Sequence, residues 1–369
     1  MRKILLLPGL MAFTLFCSAQ ITLTQLPSGG NKKAFVGERI GLTDVVIHYD
    51  RPGLKGRQGK IWGQLVHTGY TDQGFGTARN APWRAGANEN TTIEFSNDVK
   101  IEGQPLKAGR YGFFIAYDSL ESTLIFSNNS TSWGSYYYND KEDALRVKVK
   151  PLRSTNTVEW LKYEFTNQTE SSATVNLQWE NLVIPFKVET NYIEDQLNSF
   201  RKELRSERGF FWLGWDQAAQ WCLQRNVNLE EALLWADSAS GPSFGGAALF
   251  QPQATRAQIL QKLGRTAEAD ALMKKALPLA SMQEVHQYGR SLLSQKRTKE
   301  TLEVFQMNYK KNPAQFTTVM GMARGYSATA DYKNALKYAS MALPLAPNEP
   351  NKKFVTDAIE KLKQGKDIN

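Results

Sequence analysis

Two spacings of apolar residues divide this chain. Up to residue 190 they recur at every second position: Val175, Leu177 and Trp179 alternate with Thr174, Asn176 and Gln178. Ile184, Phe186 and Val188 continue the pattern, and Ile93 with Phe95 starts it earlier. Strand side chains point to opposite faces in turn, so the pattern predicts a sheet with one wet face. Further strands are expected over residues 45–49, 99–101, 111–116, 123–127, 145–150 and 159–165. Asn97-Asp98, Glu102-Gly103, Ala108-Gly109, Asn128-Asn129 and Asn167-Gln168 supply turn chemistry between them. Many short strands with no helical pattern between them imply an antiparallel β-sandwich or jelly roll over residues 20–190.

From Asn191 the period becomes helical. Ile193, Leu197, Phe200 and Leu204 mark one apolar stripe, read as a linker helix over residues 191–209. Beyond it, over residues 210–369, the chain repeats itself. Ala232, Ala269, Thr301 and Ala335 stand in register, 37, 32 and 34 residues apart. Seven positions later come Ala239, Ala276, Asn308 and Ala342; twelve earlier come Gln220, Ala257, Gly289 and Ala323. Ala276-Leu277-Pro278-Leu279-Ala280 recurs as Ala342-Leu343-Pro344-Leu345-Ala346, and Pro313 and Pro347 close the last two units. Self-similarity at this period signals stacked helix pairs, and the pattern resembles tetratricopeptide repeats. The last two units match well and the first two are degenerate. Such arrays present a concave surface for a peptide or protein, or serve as scaffolding.

Composition adds a compartment. Arg2-Lys3, an apolar run over residues 4–16 and Cys17-Ser18-Ala19 read as a secretory signal peptide, residues 1–19, cleaved after Ala19. The run is too short for a membrane span, and bulky Phe16 argues against a lipid anchor at Cys17. The expected location is therefore periplasmic or extracellular. Cleavage leaves one cysteine, Cys222, so an internal disulfide is excluded and stability must come from core burial. The formal charge is +9. Residues 20–190 contribute +1 and residues 191–369 contribute +6, spread along helix surfaces without a basic cluster. That distribution argues against a nucleic-acid partner.

Candidate chemistry concentrates between Tyr49 and Thr92. Tyr49-Asp50-Arg51-Pro52-Gly53-Leu54-Lys55-Gly56-Arg57 ends a strand in a cationic turn, and His67 follows. Trp83-Arg84-Ala85-Gly86-Ala87-Asn88-Glu89-Asn90 adds a second polar loop. Guanidinium forks recognise carboxylates and phosphates, so Tyr49, Arg51, Lys55, Arg57, His67, Trp83, Arg84, Asn88 and Asn90 form the candidate pocket for a polar or anionic ligand. The alternative is a structural corner in which these side chains satisfy loop carbonyls. Convergence on an open cleft favours the first, and burial against carbonyls the second. Trp133-Gly134-Ser135-Tyr136-Tyr137-Tyr138 is either a stacking platform or a strand whose rings alternate inward and outward.

The run Ile61-Trp62-Gly63-Gln64-Leu65-Val66, then Trp83 to Asn88, then Leu106-Lys107-Ala108-Gly109-Arg110-Tyr111, resembles a bacterial family, domain of unknown function 2911, over residues 28–190. The resemblance implies a fold and no activity. Residues 69–82 depart from its pattern by lengthening the loop before Trp83, and His67 stands where the family pattern has proline.

Catalytic patterns are weak. Gly241-Pro242-Ser243-Phe244-Gly245, with Asp270 and His286 following, matches a nucleophile-elbow string, but helices flank it where a strand should precede. His48, His67 and His286 lack metal-ligand spacing. No cofactor, metal or catalytic residue is assigned. The leading expectation is an exported, non-enzymatic binding protein. One alternative is an envelope hydrolase of carbohydrate or peptide using Asp50, His67, Arg84 and Glu89; another is a structural envelope component.

Overall fold

The computed structural model describes residues 30–369, so the leader and Cys17 lie outside the described residues. The chain divides between Leu197 and Asn198 into two compact units. That junction falls inside α1 (Tyr192–Glu203), the helix expected as a linker.

The first unit is an antiparallel sandwich. One sheet runs β1 (Lys32–Ile40), β2 (Thr43–Arg51), β3 (Thr92–Phe95), β6 (Gly109–Ala116), β7 (Ser122–Ser127), β8 (Asp143–Val149). The other runs β5 (Gln104–Leu106), β4 (Val99–Ile101), β10 (Ser172–Thr190), β9 (Leu152–Thr166). The alternating residues face the shared core: Val175, Leu177, Trp179, Ile184, Phe186 and Val188 are all buried with Ile93 and Phe95. Asn167 and Glu102 take positive φ at the turns between strands.

The wet-face expectation fails for β6 and β7. Phe113, Ile115, Leu124 and Phe126 face the main core. Phe114 and Ile125, on the opposite face, are buried as well, in a second cluster with Ala78, Ala81 and Tyr138. The loop over residues 69–82 produces this. It is pinned by a Thr71–Ala81 bridge and by Thr77 and Ala78 N–H donating to Tyr136 O at 3.0 Å, and it covers the sheet with a small apolar lid. The three tyrosines lie in a turn and not on a strand. Gly134 has φ +60° and the Asn139 side chain caps the next 3-10 turn, which stops extension. Tyr138 points inward, Tyr137 is exposed, and Tyr136 lies under Arg84.

The second unit is a stack of helix hairpins: α2 (Trp212–Arg225) with α3 (Leu229–Ser240), α4 (Phe250–Lys262) with α5 (Thr266–Ala276), α6 (Met282–Ser294) with α7 (Thr298–Lys311), and α8 (Phe316–Ala328) with α9 (Tyr332–Ala342). A last helix, α10 (Glu349–Lys363), covers the final pair. The register residues Ala232, Ala269, Thr301 and Ala335 are fully buried on the second helix of each pair. Small residues are needed there because helix axes close to 8–10 Å only where side chains are short. Gly289 shows the same constraint on α6: a Cβ at this position would collide with the Phe305 ring. Both Ala-Leu-Pro-Leu-Ala strings tighten into 3-10 turns, Leu277–Leu279 and Leu343–Leu345, ending α5 and α9. Cys222 is buried, and desolvation pushes its thiol up to about 11, the behaviour of a core residue and not a nucleophile.

Candidate functional site

The cationic turn is built against β9. Leu54 N–H donates to Glu159 O at 2.9 Å and Leu161 N–H to Pro52 O at 3.1 Å, fastening the chain after β2. Arg51 Nε donates to Leu161 O at 2.7 Å. Arg57 closes its own turn, Nε to Leu54 O at 3.0 Å and Nη2 to Gly53 O at 2.7 Å. Lys55 is exposed at φ +50°. Tyr49 is buried edge-on to Tyr163, with ring centroids 4.7 Å apart.

The second loop closes on itself too. Arg84 Nη1 donates to Asn88 O at 2.6 Å, and its guanidinium lies 4.8 Å from the Tyr136 ring centre. Asn88, at φ +54°, accepts from Asn31 at 3.1 Å. Trp83 Nε1 donates to Gly86 O at 3.1 Å, and Asn90 donates to Asn129 O at 3.2 Å. Lys33 pairs with Glu89 at 2.5 Å. Hence Arg51 and Arg57 bind carbonyls beside β9, and Arg84 binds a carbonyl within its own loop. They do not converge on an open cleft, the geometry named above for a structural corner. His67 is half-buried, and burial depresses its pKa against smaller opposing effects of the Thr68 and Gly69 backbone.

The nucleophile-elbow string carries no triad. It lies in the loop between α3 and α4. Asp270 is committed to Arg297 at 2.8 Å, and His286 packs on Phe305 with centroids 5.3 Å apart.

A groove that composition did not reveal lies on the repeats. Two adjoining cavities, about 700 Å³ and about 400 Å³, share Gln220, Thr255, Gln258, Gln261 and Ser291. Gln224 and Gln295 line the larger, and Gln251 and Gln287 the smaller. The glutamines sit on α2, α4 and α6, the first helices of successive pairs, with Gln295 at the C-cap of α6. Their spacing was legible: Gln220/Gln224 and Gln258/Gln261 fall three or four apart, and Gln224 and Gln261 occupy the same repeat position. Behind them Asp216 is fully buried and accepts from Gln220 and Gln251, each at 2.8 Å. Desolvation raises its pKa above the ordinary carboxylate value. Oδ2 accepts from both amides and so orients them. A primary amide offers two donors and an acceptor, the complement of a peptide backbone.

Residues 31–188 match the family model described as Protein of unknown function (DUF2911). The N-terminal domain is a DUF2911 domain. No curated protein matches the chain. Among solved structures, the helical region is similar to MamA, residue 41 to the end, from Desulfovibrio magneticus RS-1, at 19% identity. The match covers 41% of this chain and 92% of that one, with a TM-score of 0.29. YrrB, described as a TPR protein with an unusual peptide-binding site, is 15% identical over 46% of this chain and 86% of its own, with a TM-score of 0.31. By the 37-, 32- and 34-residue spacing of its helix hairpins the region after the DUF2911 domain is a tetratricopeptide-like array, and no helix among the described residues is long and apolar enough to cross a membrane.

Proposed function

We infer that this is a binding protein whose helical array holds an extended peptide segment of a protein partner in the glutamine-lined groove. The observation carrying this reading is the row of amides on α2, α4 and α6, two of them fixed by Asp216. Paired donors and acceptors along a groove read main chain, and the apolar floor from Phe250 and Ala257 suits small side chains. Peptide display on the full chain tests it. The expected result is enrichment of a common motif on the wild type and at least ~10-fold weaker binding by Gln258→Lys/Gln261→Lys, since losing one well-placed hydrogen-bonded pair is worth about 1.4 kcal/mol or more. Equal enrichment on that variant rejects the groove.

We propose, from the signal-peptide pattern of residues 1–19, that this binding role is exercised outside the cytoplasm, in the periplasm or the extracellular space. Fractionation of cells expressing the full chain should recover it there, shortened by its first nineteen residues; cytoplasmic, full-length product rejects export.

A further inference from the structure

The pairing of β9 and β10 breaks around one residue. Gln178 pairs with Lys162, Glu180 with Val158 and Leu182 with Arg153, with register shifts on both sides of Glu180. Glu180 has φ +54° although it is not glycine, and it is 7% exposed. A side chain in left-handed backbone costs roughly 1–3 kcal/mol and persists only where its surroundings enforce it. Here Gly59 N–H donates to the Glu180 carboxylate. Gly59, at φ +74°, comes from the same loop that holds the cationic turn. Bulges re-aim side chains, and this one aims a carboxylate into a cavity of about 600 Å³, within the usual range for small ligands.

The cavity has one aromatic wall. Trp62 and Tyr117 lie with ring centroids 4.9 Å apart, and Trp62 is braced edge-on by Trp83 and Trp179. Glu180, Arg153 and Asn181 also line it, with Arg153 Nη1 donating only weakly to Asn181, at 3.4 Å. Hydroxyls and amides fill the rest, Thr68 among them. Burial raises the Tyr117 phenol's pKa, so it stays a neutral donor and acceptor at pH 7. One fixed carboxylate repels anions, and one guanidinium repels cations. The planar polar groups disfavour a purely apolar guest. A pyranose ring meets all three conditions: it is neutral, its C–H face suits an aromatic ring, and each hydroxyl on its rim both donates and accepts.

We propose that the DUF2911 domain binds a neutral saccharide at this bulge, with a sugar ring stacked on Trp62 and its hydroxyls held by Glu180, Arg153 and Asn181. The site is independent of the glutamine groove, and each can fail without the other. The test uses the full chain on a glycan array, then calorimetry with the best neutral mono- and disaccharides, with glycine, glutamate and inorganic phosphate as separate arms. Binding of a neutral glycan is expected, weakened at least ~10-fold by Glu180→Gln, which keeps an acceptor for Gly59, and by Trp62→Ala, while Gln258→Lys leaves it unchanged. Should Trp62→Ala fail to fold, Trp62→Phe serves, with a smaller loss. The proposal is overturned if no neutral glycan binds, if Glu180→Gln and Trp62→Phe both bind as wild type does, or if an amino acid or phosphate takes the site in preference.

Discussion

Trp179→Ala is expected to destabilise the sandwich by about 3–5 kcal/mol, the range for truncating a large buried aromatic. Trp179 is fully buried on β10, with its ring 6.1 Å from that of Trp62 and 6.3 Å from that of Trp83. Its removal opens a cavity where three tryptophans meet, and close packing prevents the surroundings from filling it. For a domain of this size the melting midpoint should fall by roughly 10 °C. Trp179→Phe should cost far less. Among the described residues the buried indole Nε1 meets no partner, so phenylalanine removes an unsatisfied donor while keeping most of the apolar volume. Near-UV circular dichroism during heating separates the two, and equal losses would show that the indole nitrogen is satisfied after all.

Acid should loosen the helical array through His286. Burial, with smaller effects of Arg324 and Arg290, lowers its pKa from 6.5 to about 4. Between those values the folded state holds fewer protons than the unfolded chain, so stability rises with pH across this window. The full contribution is present above pH 6.5 and is lost as pH falls toward 4, up to about 3 kcal/mol at 1.36 kcal/mol per unit. His286→Leu removes the imidazole that stacks on Phe305 and leaves no buried Nδ1 unsatisfied. Urea unfolding of both proteins at pH 7 and pH 4.5 checks this. The wild type should lose more stability than the variant, and parallel losses would place the acid sensitivity in other groups.

What could be read from the letters was whatever depends on local geometry. Val175, Leu177 and Trp179 declared their face because the pleat alternates side chains regardless of what lies opposite. Ala232, Ala269 and Ala335 declared the hairpin stack because helix contacts demand small residues at fixed intervals. Phe114 and Ile125 could not be placed, because their cover arrives from residues 69–82, whose path no period encodes. Arg51, Arg57 and Arg84 show the limit for sites. A guanidinium suits a ligand carboxylate and a loop carbonyl equally well, and only the folded path of the chain decides between them. The glutamines were passed over for the opposite reason: alone each reads as a solvated side chain, and they meet only once three hairpins stack. Glu180 carried no mark either, since a two-for-one pairing appears only when both partner strands are known.

The stacking order of the hairpins has a kinetic consequence. The helices of the stack pack chiefly on helices one or two places away in sequence, so few cross-links tie its far ends together. Under denaturant such a stack gives way in stages from its rims, and its amides exchange with solvent along a gradient instead of all at once.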